Sequence, residues 1–405
     1  MLIIFALAVS VLAAWIVLRL YHAYFTAHAF DGIEYESRVD REEIFESEYV
    51  TLSQTVTNRG SRAIPCIKMQ TLLPEGLWFV IPDTRSVSGK RDKLLSDVES
   101  IMHLPPHTSV TRRFRILATH RGVFRLVSAS LLRRDLTGIR TVSRCFGEDA
   151  ELRPLTVLPR ALWELREIAL TSCFEGHTVG QGGLVPDPSL IIGAREYTTL
   201  DPFRSIHWKA SARMGHLMVR ETEQQKNDVY SIVLNMQSAF LEPHGGLEIS
   251  TPQNIEGCIS VCASLLDSAV AVGTPVRLYA NLPTDPPSDR LYESGEVRSA
   301  RDLHLAYSAL AAMPMKMSMT AEHMIDLILS EPLAYSRGGN LIFVSSYLGR
   351  RMVEFWQEMQ RRHVRVIFFI TTDYQNEYDL PEDMEVWYRY RSGRFGREVP
   401  HETTA

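Results

Sequence analysis

Residues 229–239 read V-Y-S-I-V-L-N-M-Q-S-A. The first six are apolar apart from Ser231, the pattern of a short strand buried on both faces. From there the rhythm alternates. Ile255, Ile259, Cys262 and Leu266 recur at helical spacing, and Gly273 supplies a stop. Residues 276–279 read as the next strand, 320–329 as a helix, 341–344 as a strand, 351–362 as a helix and 364–370 as a strand. Strands alternating with helices predict a parallel sheet covered on both faces, so residues 228–405 are expected to form a Rossmann-like α/β domain.

Upstream the period is that of strands. Residues 50–56 alternate, Asn58 and Gly60 mark a turn, and residues 66–72 form a second run closed by Pro74-Glu75-Gly76. Residues 110–117 and 122–132 continue the series. Short strands with regular turns predict an antiparallel β-sandwich over residues 29–158. Residues 83–100 are polar and are expected to form a loop. Residues 159–227 are expected to connect the two domains. Within them, Val179-Gly180-Gln181-Gly182-Gly183 lacks the Gly-Lys-Ser/Thr of a phosphate loop and reads as a plain loop.

Residues 2–18 are almost unbroken hydrocarbon. As a helix they reach about 25 Å, close to the thickness of a bilayer core. Trp15, near the end of the run, and Arg19, Tyr21 and Tyr24 beyond it would sit near an interface. A cleaved signal peptide is the rival, because Ala27-His28-Ala29 has the small-x-small form, but no Lys or Arg precedes the apolar run. Residues 1–28 are therefore expected to be a single-pass anchor with its flank, meeting membrane lipid through residues 2–18. Arg19 on the C-terminal flank favours a cytoplasmic globular part. The length of 405 residues suits two or three domains, and a net charge of −5 gives no case for nucleic acid. The five cysteines show no Cys-x-x-Cys pair, which argues against structural zinc.

The densest local chemistry lies in residues 193–223. Asp201 and Pro202 suit the N-cap and N1 positions and Gly215 suits a left-handed stop, which predicts a helix over residues 202–214. Leu217, Val219 and Glu221 then alternate as a strand. Gly193, Arg195, Tyr197, Asp201, Arg204, Ile206, Trp208, Ala212, Arg213, Leu217, Val219 and Glu221 fit a long spaced signature, G-x-R-x-Y through R-x-I-x-W to L-x-V. In these residues the chain resembles the family known as domain of unknown function 58. Leu200 departs from it, standing where the family carries Gly. A second stretch, Arg121-Gly122-Val123-Phe124 with Asp135-Leu136-Thr137-Gly138-Ile139, is similar to the family's R-G-x-Y and D-P-F-G-L segments. The resemblance implies a membrane anchor, a region similar to von Willebrand factor A domains, and a MoxR-type AAA+ ATPase as partner.

Von Willebrand factor A domains hold a divalent ion at the tip of their first strand through D-x-S-x-S. Here that stretch is Asn235-Met236-Gln237-Ser238-Ala239, and Ser345 and Ser346 stand where a distant Asp would help. Hard cations require a carboxylate, so the site at Asn235, Gln237 and Ala239 is expected to be degenerate, with no metal and no cofactor. The signature residues Gly193, Arg195, Tyr197, Asp201, Arg204, Trp208, Lys209, Arg213 and Glu221 have two readings: ion pairs that pin the connector to the sheet, or a docking surface anchored on Trp and Arg. The sequence is thus read as a non-enzymatic scaffold or interaction protein. The alternatives are a hydrolase using Cys173 or His207, and a metal-dependent adhesion module.

Overall fold

The computed structural model describes residues 2–82, 92–125, 129–135, 137–146, 154–174, 191–198, 206–222, 229–239, 249–283, 290–330, 340–372, 380–389 and 394–396. They fall into two compact units, Met1–Arg160 with Tyr307–Met313, and Ala161–Ala306 with Pro314–Ala405. Almost all of the expected connector thus belongs to the second unit.

The first unit begins with helix α1, Leu2–His28. The helix continues ten residues past the apolar run because its last turns have protein to pack on. Phe5, Val9, Val11, Trp15 and Ile16 are exposed, whereas His22 and Phe25 are buried, as are Ala29 and Phe30 just beyond the helix. The window Val9–His28 is long and apolar enough to cross a membrane. Among the described residues these strands follow: β1 (Ile33–Val39), β2 (Glu43–Phe45), β3 (Tyr49–Asn58), β4 (Ile64–Leu72), β5 (Leu77–Pro82), β6 (Asp92–Leu95), β7 (Asp97–Leu104), β8 (Thr108–Ala118), β9 (Gly122–Phe124), β10 (Ala129–Arg134), β11 (Thr141–Phe146) and β12 (Leu155–Leu158). They form sheets ordered β1-β3-β8-β5-β6, β11-β10-β4-β7 and β2-β12-β9. All pairings are antiparallel except β2 with β12.

One expectation fails here. Residues 92–100 are strands β6 and part of β7, not loop. Their polar look comes from alternation: Val98, Met102 and Leu104 point inward while Asp97, Glu99 and His103 face water. Period two on a half-buried strand reads as a polar segment when only composition is weighed.

Two buried ionic arrangements organise this unit. Arg121 lies at the end of Tyr307–Met313, the close of a helix running Ala300–Ala312. Its Nη1 donates to the carbonyls of Leu310 at 2.6 Å, Ala311 at 3.0 Å and Met313 at 3.1 Å. A guanidinium suits the carbonyl-rich, negative end of a helix. The second arrangement seats α1. His22 Nε2 lies 3.0 Å from Asp135 Oδ2, Thr137 donates to the same oxygen at 2.5 Å, and the N–H of Arg140 reaches Asp135 Oδ1 at 3.2 Å. Arg133 donates to Ala29 O at 2.5 Å and lies 5.3 Å from the centre of the Phe25 ring.

The second unit carries helix α2 (Trp163–Ile168), a π-helical turn at Ala169–Cys173, strand β13 (Ile191–Glu196), helix α3 (Trp208–Met214) and strand β14 (Met218–Thr222). The α/β part follows: β15 (Tyr230–Leu234), α4 (Pro252–Ala271), β16 (Val276–Ala280), β17 (Tyr292–Val297), α5 (the Ala300–Ala312 helix already met, whose residues from Tyr307 on belong to the first unit), α6 (Ala321–Ser330), β18 (Asn340–Ser345), α7 (Arg350–Arg361), β19 (Arg365–Ile370), β20 (Glu385–Arg389) and β21 (Phe395–Gly396). Its seven-stranded mixed sheet runs β17-β16-β15-β18-β19-β20-β21, with a parallel centre. Every residue of β15 is buried, as its apolar run requires. Helix α4 is also apolar and long, but it is mostly buried and serves as a core helix.

Burial pushes the Asp135 carboxyl up, but the Thr137 hydroxyl, the Arg140 and Ile139 N–H groups and His22 outweigh it and hold it below the usual range. A depressed folded value means that this group stabilises the protein above its unfolded value of about 3.9, and that the contribution is lost as pH falls through the lower folded value. Acid titration of unfolding should therefore show wild type losing stability below about pH 4. Asp135→Asn should be weaker at neutral pH and show a shallower acid limb, the remainder coming from carboxylates such as Asp302 and Glu358. Identical acid limbs in both proteins would contradict the assignment.

Candidate functional site

The chain order turns at β15. The next strand, β16, lies on one side of it and β18 on the other. Side chains and loops beyond the carboxyl ends of such strands border a crevice where α/β sheets place ligands. The residues there are neutral and bonded to one another. Asn235 donates from Nδ2 to Ser345 Oγ at 3.0 Å, while its Oδ1 accepts from the N–H of Gln237 at 3.0 Å and from Asn281 Nδ2 at 3.5 Å. Asn281 Oδ1 accepts from Met236 N at 2.7 Å, and Asn281 Nδ2 donates to Met319 O at 2.8 Å. Gln237 Oε1 accepts from Ala321 N, in the first turn of α6, at 2.9 Å, and Gln237 Nε2 donates to Ala239 O at 2.9 Å. Ser346 donates to the carbonyls of Gln237 and Ser238 at 3.0 and 2.9 Å. Asn235, Asn281, Ser345 and Ser346 are all fully buried.

Beside the network lies a cleft of about 220 Å³ lined by Gln237, Thr320, Ala321, Glu322, Ile325, Tyr347, Gly349, Arg351 and Met352. Arg351 is ion-paired with Asp326 and, at 3.1 Å, with Glu354. Among the described residues no group of three His, Cys, Asp or Glu side chains is placed to hold a metal ion.

The signature residues gather elsewhere in this unit, on a hairpin with an inserted helix. Strands β13 and β14 pair antiparallel, which sets Gly193 opposite Glu221 and Arg195 opposite Val219. Tyr197 continues the ladder, its N–H bonded to Leu217 O at 2.9 Å. The helix starts later than residue 202. Ile206 makes a bridge to Val219 and His207 N donates to Met218 O at 2.7 Å, so the chain is still extended there. The cap is His207, not Asp201: its Nδ1 accepts from Ala210 N at 3.2 Å. Gly215 ends the helix at φ 74° as expected. Asp201 and Arg204 lie outside the described residues. Trp208 is 66% exposed, and Lys209 and Arg213 are also exposed.

The two hydrolase candidates have structural positions. His207 is spent on the cap. Cys173 is buried in the π-helical turn, and desolvation pushes its thiol up to about 12. His177 and Asp187, near it in sequence, lie outside the described residues. Asn281 is the residue that sequence reasoning missed. An amide directly after the buried strand V-R-L-Y-A was the available signal, the same signal that Asn235 gives after β15.

Asn235→Ala leaves the Gln237 N–H without its acceptor and removes the bond to Ser345, both in a dry setting. The expected cost is about 2–3 kcal/mol, measured as a shift of the denaturation midpoint. A surface-like change of a few tenths would refute the network's structural weight. Under native conditions at neutral pH, alkylating reagent should modify the exposed Cys66 and Cys145 well before Cys173, as read by peptide mass mapping.

No curated protein matches this chain. Among solved structures it is similar to the sporulation control protein Spo0M of Bacillus subtilis, at 13% identity and TM-score 0.20 over 35% of this chain and 56% of that one. It is also similar to native alpha-2-macroglobulin from Escherichia coli (domain MG7 to the C-terminus), at 12% identity and TM-score 0.22, covering 31% of this chain and 23% of that one. A FixG-related protein from Vibrio parahaemolyticus gives 10% identity and TM-score 0.17 over 29% and 94%. Likenesses this weak carry no argument about function. Residues 193–386, which begin at the first signature glycine and end in β20, match the family described as "Protein of unknown function DUF58".

Proposed function

We propose that this protein is a membrane-anchored, non-enzymatic interaction protein whose α/β part is a metal-free, von Willebrand factor A-like module. The observation that carries the reading is the neutral network at Asn235. Its amide occupies the strand tip where such modules keep an acid, and both ends of that amide are already engaged. Among the described residues, the network contributes no carboxylate to offset the charge of a divalent ion there. The loops at the strand ends are held by these bonds as preformed contact surface, and the exposed Trp208, Lys209 and Arg213 add the residue types favoured as interface anchors. The proposed partner is a MoxR-type AAA+ ATPase, as the family resemblance implies. The globular part is proposed to lie on the cytoplasmic side, behind the Arg19 flank. A hydrolase reading finds less support, since Cys173 stays protonated and His207 caps a helix.

The test is a crosslinking pull-down from native membranes with wild type and Trp208→Ala/Arg213→Ala. The double variant should keep its fold, because both side chains are exposed, and should lose most of the captured ATPase. Full retention by a normally folded variant would refute the docking role. In calorimetry, Mg²⁺ and Mn²⁺ should give no heat of site binding. Micromolar binding would favour the adhesion-module alternative.

A further inference from the structure

We propose that the tip of the β10–β11 hairpin is a second membrane contact, in which Ile139 enters the interface and Arg134 and Arg140 meet the headgroups of an anionic bilayer. The proposal rests on the reading of residues 2–18 as a membrane span.

Three fixed points along α1 and the two residues just beyond it set the direction of the hairpin. At its open end, Phe146 lies 5.7 Å from Phe30, ring to ring. One step nearer the tip, Arg133 bonds Ala29 O and covers Phe25. At the tip itself, Asp135 and Thr137 reach His22. Moving toward the tip therefore means moving toward the N-terminus of α1, which is toward the bilayer. Two strand residues advance about 6.6 Å, and the three helical residues between Phe25 and His22 span about 4.5 Å. His22 is only four residues, about 6 Å, past the end of the apolar run. Gly138 and Ile139, next along the chain from Thr137, thus arrive at headgroup level.

The surface chemistry at that level fits lipid. Ile139 is 71% exposed at a turn tip, where water is a poor host for a branched hydrocarbon. Arg134 and Arg140 flank it and are exposed. The tip's acid, Asp135, is turned inward on His22, so it does not offset their charge at the surface. On α1 itself, Leu20 and Tyr24 are exposed and Arg19 lies over the Trp15 ring at 5.1 Å, the residue types of a membrane interface. The hairpin tip is continuous with that belt. Each cationic side chain near an anionic surface strengthens contact roughly fivefold.

The experiment uses the full chain with Cys66→Ser and Cys145→Ser, reconstituted into vesicles of phosphatidylcholine with or without phosphatidylserine. An environment-sensitive fluorophore is placed at Ile139→Cys or, separately, at Leu20→Cys. Quenching by lipids with a nitroxide near the headgroup is compared with quenching by aqueous iodide. Lipid quenching at both positions, stronger with phosphatidylserine at residue 139 and reduced severalfold by Arg134→Gln/Arg140→Gln, is the expected result. Lipid quenching at residue 20 with iodide quenching at residue 139 overturns the hairpin contact and leaves the anchor intact. Iodide quenching at both overturns the anchor and the proposal together. Lipid quenching at residue 139 that ignores phosphatidylserine overturns the anionic specificity.

Discussion

A strand buried on both faces has to end somewhere, and its last polar groups end in a dry place. Each buried donor or acceptor left without a partner costs about 1–3 kcal/mol. At the tips of β15, β16 and β18 that constraint is met by amides and hydroxyls used reciprocally. Asn281 ties the chain after β15 to the segment before α6, Gln237 takes the Ala321 N–H at the start of α6, and Ser346 closes on the carbonyls of Gln237 and Ser238. An amide can satisfy a donor and an acceptor at once, whereas a carboxylate accepts only and would need a cation to balance it. The choice of Asn at residue 235 therefore fixes the loops without importing charge. The walls of the neighbouring cleft, which include Gln237, Ala321 and Tyr347, inherit their positions from those bonds.

The first unit solves a similar problem with charge. Arg121 and Asp135 are buried ions, and Arg133 is partly so, yet each faces a group that suits it: helix-end carbonyls for Arg121, an imidazole and a hydroxyl for Asp135, a carbonyl and a ring face for Arg133. Burying such groups is costly unless they are paired and hydrogen-bonded. Arg121 and Asp135 open the two short motifs that resemble family segments. Their surroundings explain those motifs as architecture: one finishes a helix, the other seats the helix that carries the apolar N-terminus. The apolar helix is therefore not a loose appendage, because its last turns pack into the core of the first unit.

Long periodic segments were legible in the sequence. The run 229–234, the helical spacing through Ile255, Ile259 and Leu266, and the alternation in residues 50–56 each became the element that their period implies. What was not legible depended on partners distant in sequence. The helix expected from residue 202 begins at Trp208 because Ile206 and His207 are claimed by β14, a pairing that no local cap signal reveals. The α1 helix outlasts its apolar run because Phe25 and His22 find a sheet to pack on. Strand β7 was hidden by its polar outward face. Asn281 became visible as a site residue only when β16 was laid beside β15.

Helix α3 remains the least self-sufficient element. It has seven residues and none of them is buried, so neither length nor packing can hold it. It is held from its ends instead. His207 caps the first turn, Gly215 takes the left-handed turn at the other end, and Ser211 accepts the Met218 N–H at 2.9 Å, tying the helix to β14. This local bonding keeps an exposed Trp, Lys and Arg in a defined arrangement on the β13–β14 hairpin. The exposure of Trp208 is thus held in place by local bonds, and this supports the docking role proposed above.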